Sequence, residues 1–444
     1  MELGLLLRRR LLGRWRQFGR RRRLGQLVID ARQGPIRRGG NNIAVLRRLT
    51  FLLLFSLAAA QAAPPLQPLI DATPAGGTLR PAPGSYAGPA VIARPMTLDG
   101  GGKVTIEGAG RGTVLTLATS GATLRGLRLT RSGDSHDGVD AGLLVEGDDN
   151  LVEDNVVDDV LFGIHVKQGR RNRIANNRVT GRPAPRGARG DGLRLWYSRH
   201  NRIEGNAFHR VRDLTFANSP DNRVLGNTLA DGRYGMQFIF SPRAVVENNR
   251  LSDTDTGIAV LYSPELVVRG NSVAHALDGG GAGIAFKDSG NALVENNEVL
   301  HCAAGLSANA PLNAEAALTV RGNRFAHNVV GMYFYGEKGG HRIEANRFDN
   351  NLTQVGVSAA GVGEANLWQG NAWSDYQGFD RDGDGIGDTP HEIWLWADRI
   401  WMETPRAKFF ANAPALELLD FLEKLAPFAS PSLILRDPAP RVAR

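Results

Sequence analysis

The segment "YQGFDRDGDGIGDTPH", residues 376–391, sets carboxylates at alternate positions between glycines. Asp380, Asp382 and Asp384 take the first, third and fifth places of a loop, and Asp388 the ninth. That spacing suits a hard divalent cation, because a tight glycine-turned loop brings alternate oxygen ligands toward one point. Structural calcium, rigidifying the junction that follows, is the expected ion. His391 stands at the twelfth place, where an EF-hand has a bidentate Glu, and no flanking helix pair is evident. The loop is therefore not an EF-hand, and the plainer alternative is an acidic turn that holds ions only at high concentration. A second set is His275, His301 and His327, with Cys302 beside His301. Each His lies four residues after an Asn in successive repeats, so stacking would place three imidazoles along one line, a candidate zinc or copper site. Polar residues stacked at an exposed corner would give the same pattern, and no H-x-H or C-x-x-C pair accompanies them. Asp134, His136, Asp137 and Asp140 share one early loop, but nothing sets a second carboxylate opposite them at glycosidase separation. The glycines serve turns and lack a strand–G-x-x-x-x-G-K–helix context.

The elements that would position these groups come from internal repetition. Asn155, Asn177, Asn206, Asn227, Asn249, Asn271, Asn297, Asn323, Asn346 and Asn371 recur at intervals of 21 to 29 residues. Three residues before each lies an apolar position, as in Val246, Val268 and Val294; two after comes another, as in Leu251, Val273 and Val299. A Gly then usually precedes a third, as in Ile258, Ile284 and Leu306, and Met236 and Met332 occupy that same column. "RDLTFANS" lacks the Gly but keeps Leu214 in register. Three short alternating strands per repeat predict an all-β fold, a right-handed parallel β-helix. A single coil cannot bury its apolar face alone, so each column must pack on the coils above and below. The marker Asn is expected at a corner, in a left-handed conformation and hydrogen-bonded along the stack. Residues 76–130 read as less regular coils, with Leu127 in the place of the Asn.

The solenoid is expected over 66–375, the acidic loop over 376–392, and a mainly α tail over 393–444. "NAPALELLDFLEKLAPF" carries a Leu stripe against acidic residues, and Trp394, Trp396 and Trp401 crowd the stretch before it. The tail reads as a cap on the last coil or as a docking element for a membrane partner. One outward column is unusual: Trp196, Ala217, Ile239 and Leu261 are apolar across four coils. Such a surface marks a partner site, unless the long insertion "TGRPAPRGARGDG" folds over it.

Net charge is +8, which on its face suggests nucleic acid. However, residues 1–62 hold 14 Arg and two acids, and without them 39 basic residues face 43 acidic ones. The body is mildly acidic and has no footprint for nucleic acid. Arg47 and Arg48, the apolar run Leu49–Ala60 and Ala60-Gln61-Ala62 read as a secretory signal cleaved near Ala62, and the arginine-rich stretch before it as an extension from a start placed too far upstream, the rival being a cytoplasmic basic tail. Cys302 is the lone cysteine and has no intramolecular disulfide partner.

The stretches "DVLFGIHV", "GRYGMQFIFS", "GIAVLYS", "GIAFKDS" and "NAWSDYQGFDRDGDGIGDTPH", with the end "SPSLILRDPAPR", resemble the NosD family of periplasmic proteins of nitrous-oxide reductase maturation. The resemblance runs from about residue 66 to the C-terminus. It implies a periplasmic, non-enzymatic β-helix partner of an ABC transporter, with permease and ATPase, touching the membrane only through that partner. It also implies a role in copper-site assembly on nitrous-oxide reductase, with a copper chaperone as donor and copper as transferred cargo. The family pattern carries outward His and Met where this chain has Gln237, Ile239 and Leu261, and often Cys where it has Ser289. Soft ligands are thus missing where a copper path would run. The competing expectation is a carbohydrate-active β-helix enzyme or polysaccharide-binding protein, which requires carboxylates converging from adjacent coils in an open groove.

Overall fold

Alternation of apolar and polar residues in three-residue strands leaves one face of each strand to bury. The computed structural model describes residues 63–309, 316–336, 339–358, 363–395, 418, 421–422 and 432–442. All of these lie in one compact unit, 62–444. The chain winds as a parallel β-solenoid in which most coils supply three short strands, the second and third merging into one long strand at Thr228–Ile239 and Arg250–Leu261, all paired in register with the coils on either side. The strands before the marker Asn, such as Val245–Glu247, Val267–Arg269 and Leu293–Glu295, form one face, and Val246, Val268 and Val294 stand directly over one another. Those after it, such as Arg250–Ser252 on Ser272–Ala274, form the second face. The third runs through Phe162–Lys167, Leu193–Trp196 and Asp213–Ala217. The inward residues of all three make one continuous core. Within it Phe216 and Phe238 stack at 4.6 Å.

The marker asparagines are inside the turn, not on its corner. Each is buried, and it is the residue before it that turns left-handed: Asn248 at φ 57°, Gly270 at 64°, Asn296 at 55°. The side chain faces inward because it completes the backbone there. Asn249 Nδ2 donates to Asn271 Oδ1 at 2.9 Å and to the Val224 carbonyl at 2.9 Å. Its own Oδ1 accepts the Asn227 N–H at 2.8 Å and the Asn227 Nδ2 at 3.0 Å. Stacked amides thus satisfy donors that the bend would otherwise orphan. Leu127 stands in this position in an earlier coil, and its N–H donates to Asn155 Oδ1 at 3.0 Å. A parallel ladder of hydroxyls, Ser198, Ser219, Ser241, Ser263 and Ser289, does the same work at the corner after the third strand.

The glycine column answers to space. A Cβ on Gly283 would lie 2.2 Å from the Val299 side chain and 2.9 Å from the Gly305 carbonyl. Where the Gly is lacking, Asp213 takes the position as a buried, fully engaged carboxylate.

Both ends are closed. The helix Gln67–Ala72 buries Ile70 against the first coils. At the other end the tail departs from its expected helical form: His391–Leu395 and Ser432–Asp437 pair as antiparallel strands. Ile434 and Leu435, adjacent in the chain and both buried, join the core at its open end. Asp437 replaces the next Asn of the ladder, accepting the Asn371 N–H and Nδ2, both at 2.9 Å. Of the expected Leu-striped helix, only Leu418, Phe421 and Leu422 are described; they are helical and exposed.

Candidate metal centres and docking surface

Four residues after most marker asparagines the chain bends out of the second sheet at a left-handed residue. Asp231, Asp253, His275, His301 and His327 hold this corner in successive coils, with φ between 52° and 61°. The His275 and His301 rings stack at 5.7 Å, and those of His301 and His327 at 5.3 Å. His275 Nδ1 lies 3.5 Å from Asp253 Oδ1. The line offers neighbouring imidazoles in pairs. Cys302, next in sequence, faces the opposite way: it is buried in the core, its thiol donates to the Leu300 carbonyl at 3.2 Å, and burial pushes its pKa up to about 11. Met236 and Met332 are likewise core residues. Among the described residues the sulfur side chains are thus turned inward, and the soft donors left on this surface are imidazoles.

Among the described residues, the one group of three or more potential ligands gathered within 4.8 Å of each other is Asp380, Asp382 and Asp384. Backbone N–H groups shape this cluster. Asp380 accepts those of Gly383 at 2.7 Å and Gly385 at 2.9 Å, and Asp384 accepts that of Ile386 at 2.7 Å. Asp388 lies apart, accepting the Arg381 N–H at 2.9 Å. The far side of the loop is stitched to the chain end: Gly387 N–H donates to the Pro440 carbonyl at 2.8 Å, and Val442 N–H to that of Gly385 at 3.0 Å. His391 is not part of the cluster; it is buried, stacked 4.8 Å from Trp373.

The outward apolar column is continuous. Trp196, Ala217, Ile239 and Leu261 are register partners across four coils, bounded by Lys167 and Lys287. The adjoining corner enlarges it in a way the column alone does not reveal. Tyr197, Phe240 and Tyr262 occupy left-handed positions at φ of 49–50° and are 55, 54 and 42 % exposed. Phe240 and Tyr262 stack at 5.1 Å, and Trp196 meets Tyr197 edge-on at 5.3 Å. The signal was present in "WYS", "IFS" and "LYS", an aromatic one place beyond the column and one before the Ser ladder. The insertion is anchored elsewhere: Arg186 pairs with Asp231 at 3.2 Å and with Asp255 at 2.6 Å, and Arg189 with Asp231 at 3.1 Å. Trp394 is half-exposed on the terminal strand, while Trp396, Trp401 and the signal segment lie outside the described residues.

Carboxylates do come together from adjacent coils at Asp191 and Asp213, each 1 % exposed. Both are consumed by arginines: Arg212 reaches Asp191 at 2.7 Å and Asp213 at 3.2 Å, and Arg233 reaches Asp213 at 2.5 Å. Burial pushes the Asp191 carboxyl above the usual range against the pull of Arg212. This is a sealed ion cluster and not an open groove. The early loop is structural in the same sense, with Asp134 paired to Arg182 and Asp140 accepting the Ser135 N–H at 3.0 Å.

Residues 175–378 match the family model described as "Periplasmic copper-binding protein (NosD)". A "Probable ABC transporter binding protein NosD" of Pseudomonas aeruginosa is 29% identical over 397 residues, covering 85% of this chain and 91% of the relative. The protein of the same name from Stutzerimonas stutzeri is 28% identical over 110 residues, 24% of this chain and 25% of its own. Among solved structures, the A-module of the Azotobacter vinelandii mannuronan C-5 epimerase AlgE6 is similar at 14% identity and TM-score 0.44, over 70% of this chain and 93% of that one. A PL6 alginate lyase complex with trisaccharide is similar at 10% identity and TM-score 0.45, over 70% and 82%. The central and C-terminal coils of the parallel solenoid described above, residues 175–378, are thus the part that matches the NosD family model.

Proposed function

We propose that the chain is a periplasmic accessory protein for maturation of the copper sites of nitrous-oxide reductase, working as the β-helix partner of an ABC transporter and without catalysis of its own. The observation that carries this reading is the exposed aromatic face of Trp196, Tyr197, Phe240 and Tyr262 with Ile239 and Leu261. Large apolar side chains held in rigid ladders offer a partner contact area at little entropic cost. The relatives' printed names, as transporter-binding proteins, support the same role. In this reading the permease, with its ATPase, takes the aromatic face, and contact with the membrane is made through it. No helix among the described residues is long and apolar enough to cross a membrane. The His275–His301–His327 line is the surface where copper from a chaperone would pass, held by pairs of imidazoles. Asp380, Asp382 and Asp384 are the candidate calcium ligands, and residues 1–62 the extension and export signal removed near Ala62.

In a denitrifying host, deletion of the gene should leave nitrous-oxide reductase present but short of copper, read by metal analysis of the purified enzyme. Complementation with the wild type should restore the metal. The triple variant Trp196→Glu, Phe240→Glu, Tyr262→Glu, if its melting temperature is unchanged, should not. Normal copper loading in the deletion strain would overturn the reading.

A further inference from the structure

The second sheet carries a groove that the functions above do not use. Its floor is two outward rows in adjacent register. One reads Arg178, Ala207, Thr228, Arg250, Ser272 along successive coils. The other reads Thr180, His209, Ala230, Ser252, Ala274. In later coils the same rows hold Glu298, Arg324 and Arg347, and Leu300, Ala326 and Asp349. The small residues therefore cut a local trough, of about 580 Å³. The insertion stands at its edge, because Arg186 and Arg189 pin it to Asp231, Asp253 and Asp255 on the corner just beyond the second row.

Charge distinguishes this trough from the rest of the surface. Arginines elsewhere on the coils are mostly paired: Arg324 with Glu298 and Asp349, Arg347 with Asp349, Arg269 with Glu247 and Glu295. Arg178 and Arg250 are exposed and have no carboxylate within ion-pair distance among the described residues. They flank the small-residue floor three coils apart, about 14 Å at one strand spacing per coil, with the exposed His209 between them. The nearest acids on the corner are turned away: Asp231 is held by Arg186 and Arg189, and Asp253 faces His275.

We propose that this trough binds an extended acidic segment of a partner protein, with carboxylates about four residues apart seated on Arg178 and Arg250. An extended chain rises about 3.3 Å per residue, so two acids at that separation span the arginines. The hydroxyls of Thr180, Thr228, Ser252 and Ser272 line the path and donate to the backbone between them. A glycan is less well served, because Phe208, the one Phe, Tyr or Trp lining the trough, is buried and offers no stacking face. The inference rests on the scaffold role proposed above and adds a second partner class to it. The corner row beside the trough continues into the histidine line, so a segment seated here would bring its carrier next to those imidazoles.

The test uses the purified protein and a fluorescein-labelled octapeptide of Gly and Ser with two glutamates about four residues apart, followed by anisotropy at low salt. Arg178→Glu with Arg250→Glu should weaken binding by about tenfold or more, the scale of two exposed ion pairs. Arg111→Glu, at an exposed arginine outside the trough, should leave it unchanged, as should melting temperatures in all variants. A glutamine version of the peptide should not bind. Equal loss in the Arg111→Glu variant, equal binding of the glutamine peptide, tighter binding of an oligouronate of matched length, or no binding up to about 1 mM would each overturn the proposal. The assay contains neither copper nor transporter, so its failure leaves the copper content of the reductase in the deletion strain as a separate test of the scaffold role.

Discussion

Two buried side chains show how position in a coil decides chemistry. Cys302 follows a histidine that faces solvent, and on sequence spacing it could join that ligand set. The left-handed bend at His301 turns it into the core, and burial pushes its thiol up to about 11. Almost no thiolate is present near neutral pH, so the native protein should resist maleimide, with labelling rising only as denaturant unfolds the coil. Rapid labelling of the folded protein would show that the thiol is open. His165 is the opposite case, an outward residue that neighbours have covered. It is 7 % exposed, and its Nε2 has no partner. Burial, then the charges of Arg194 and Lys167, hold its pKa near 4. The folded state therefore binds this proton less readily than the unfolded chain, whose His titrates near 6.5. The stability contributed by neutral His165 is complete above that value and is lost as pH falls toward 4, on the order of 3 kcal/mol in all. Thermal unfolding at pH 7 and pH 4.5 should show that the difference shrinks in His165→Gln. An unchanged difference would assign the acid sensitivity to other groups.

At the level of the coil, two columns carry opposite kinds of constraint. Removing Asn249 by Asn249→Ala leaves the Asn227 amides, the Asn271 Oδ1 and the Val224 carbonyl short of partners in a buried site. A loss of about 2–4 kcal/mol is expected in denaturant unfolding, against a few tenths for a surface change. Gly283→Ala meets a side chain at 2.2 Å, and overpacking of about 1–3 kcal/mol should follow. Gly279→Ala, with nothing within 4 Å, is the matched control and should be neutral. Equal stability in the two glycine variants would remove the spatial account of the column. These columns were legible from sequence because stacking gives like residues like environments, so a period of about two dozen residues encodes contacts directly. Which residue takes the left-handed turn was not legible: Asn248, Gly270 and Ala345 all do so, since a single corner held by its neighbours in the stack tolerates several side chains. The aromatic face was half-read for a related reason. Strict alternation pointed to Trp196, Ile239 and Leu261, but Tyr197, Phe240 and Tyr262 sit at a corner, where alternation ends. The tail resisted reading most, because its strands answer to the open end of the core and not to their own periodicity.

For the molecule as a whole, a solenoid is stable only if its ends are closed, because an exposed last coil leaves a bare core and a row of unpaired backbone groups. The C-terminal closure is assembled from distant segments. Asp437 ends the asparagine ladder, Ile434 and Leu435 cover the core, and Arg441 bridges to Ala372 on the last coil and to Ile386 in the acidic loop. The acidic loop is thus one of the fastenings of the cap. Its three clustered carboxylates repel one another when unliganded, and a divalent cation at Asp380, Asp382 and Asp384 would turn that repulsion into a cross-link. If calcium is held there, a chelator should raise amide exchange in residues 371–395 and 432–442 and lower the melting temperature, while exchange in the central coils stays the same, since neighbours in a solenoid couple only to neighbours. Asp382→Asn with Asp384→Asn should reproduce the effect and abolish the response to chelator. Elemental analysis finding no calcium, together with melting that ignores both chelator and the variant, would mean that the closure stands on its hydrogen bonds and apolar contacts alone.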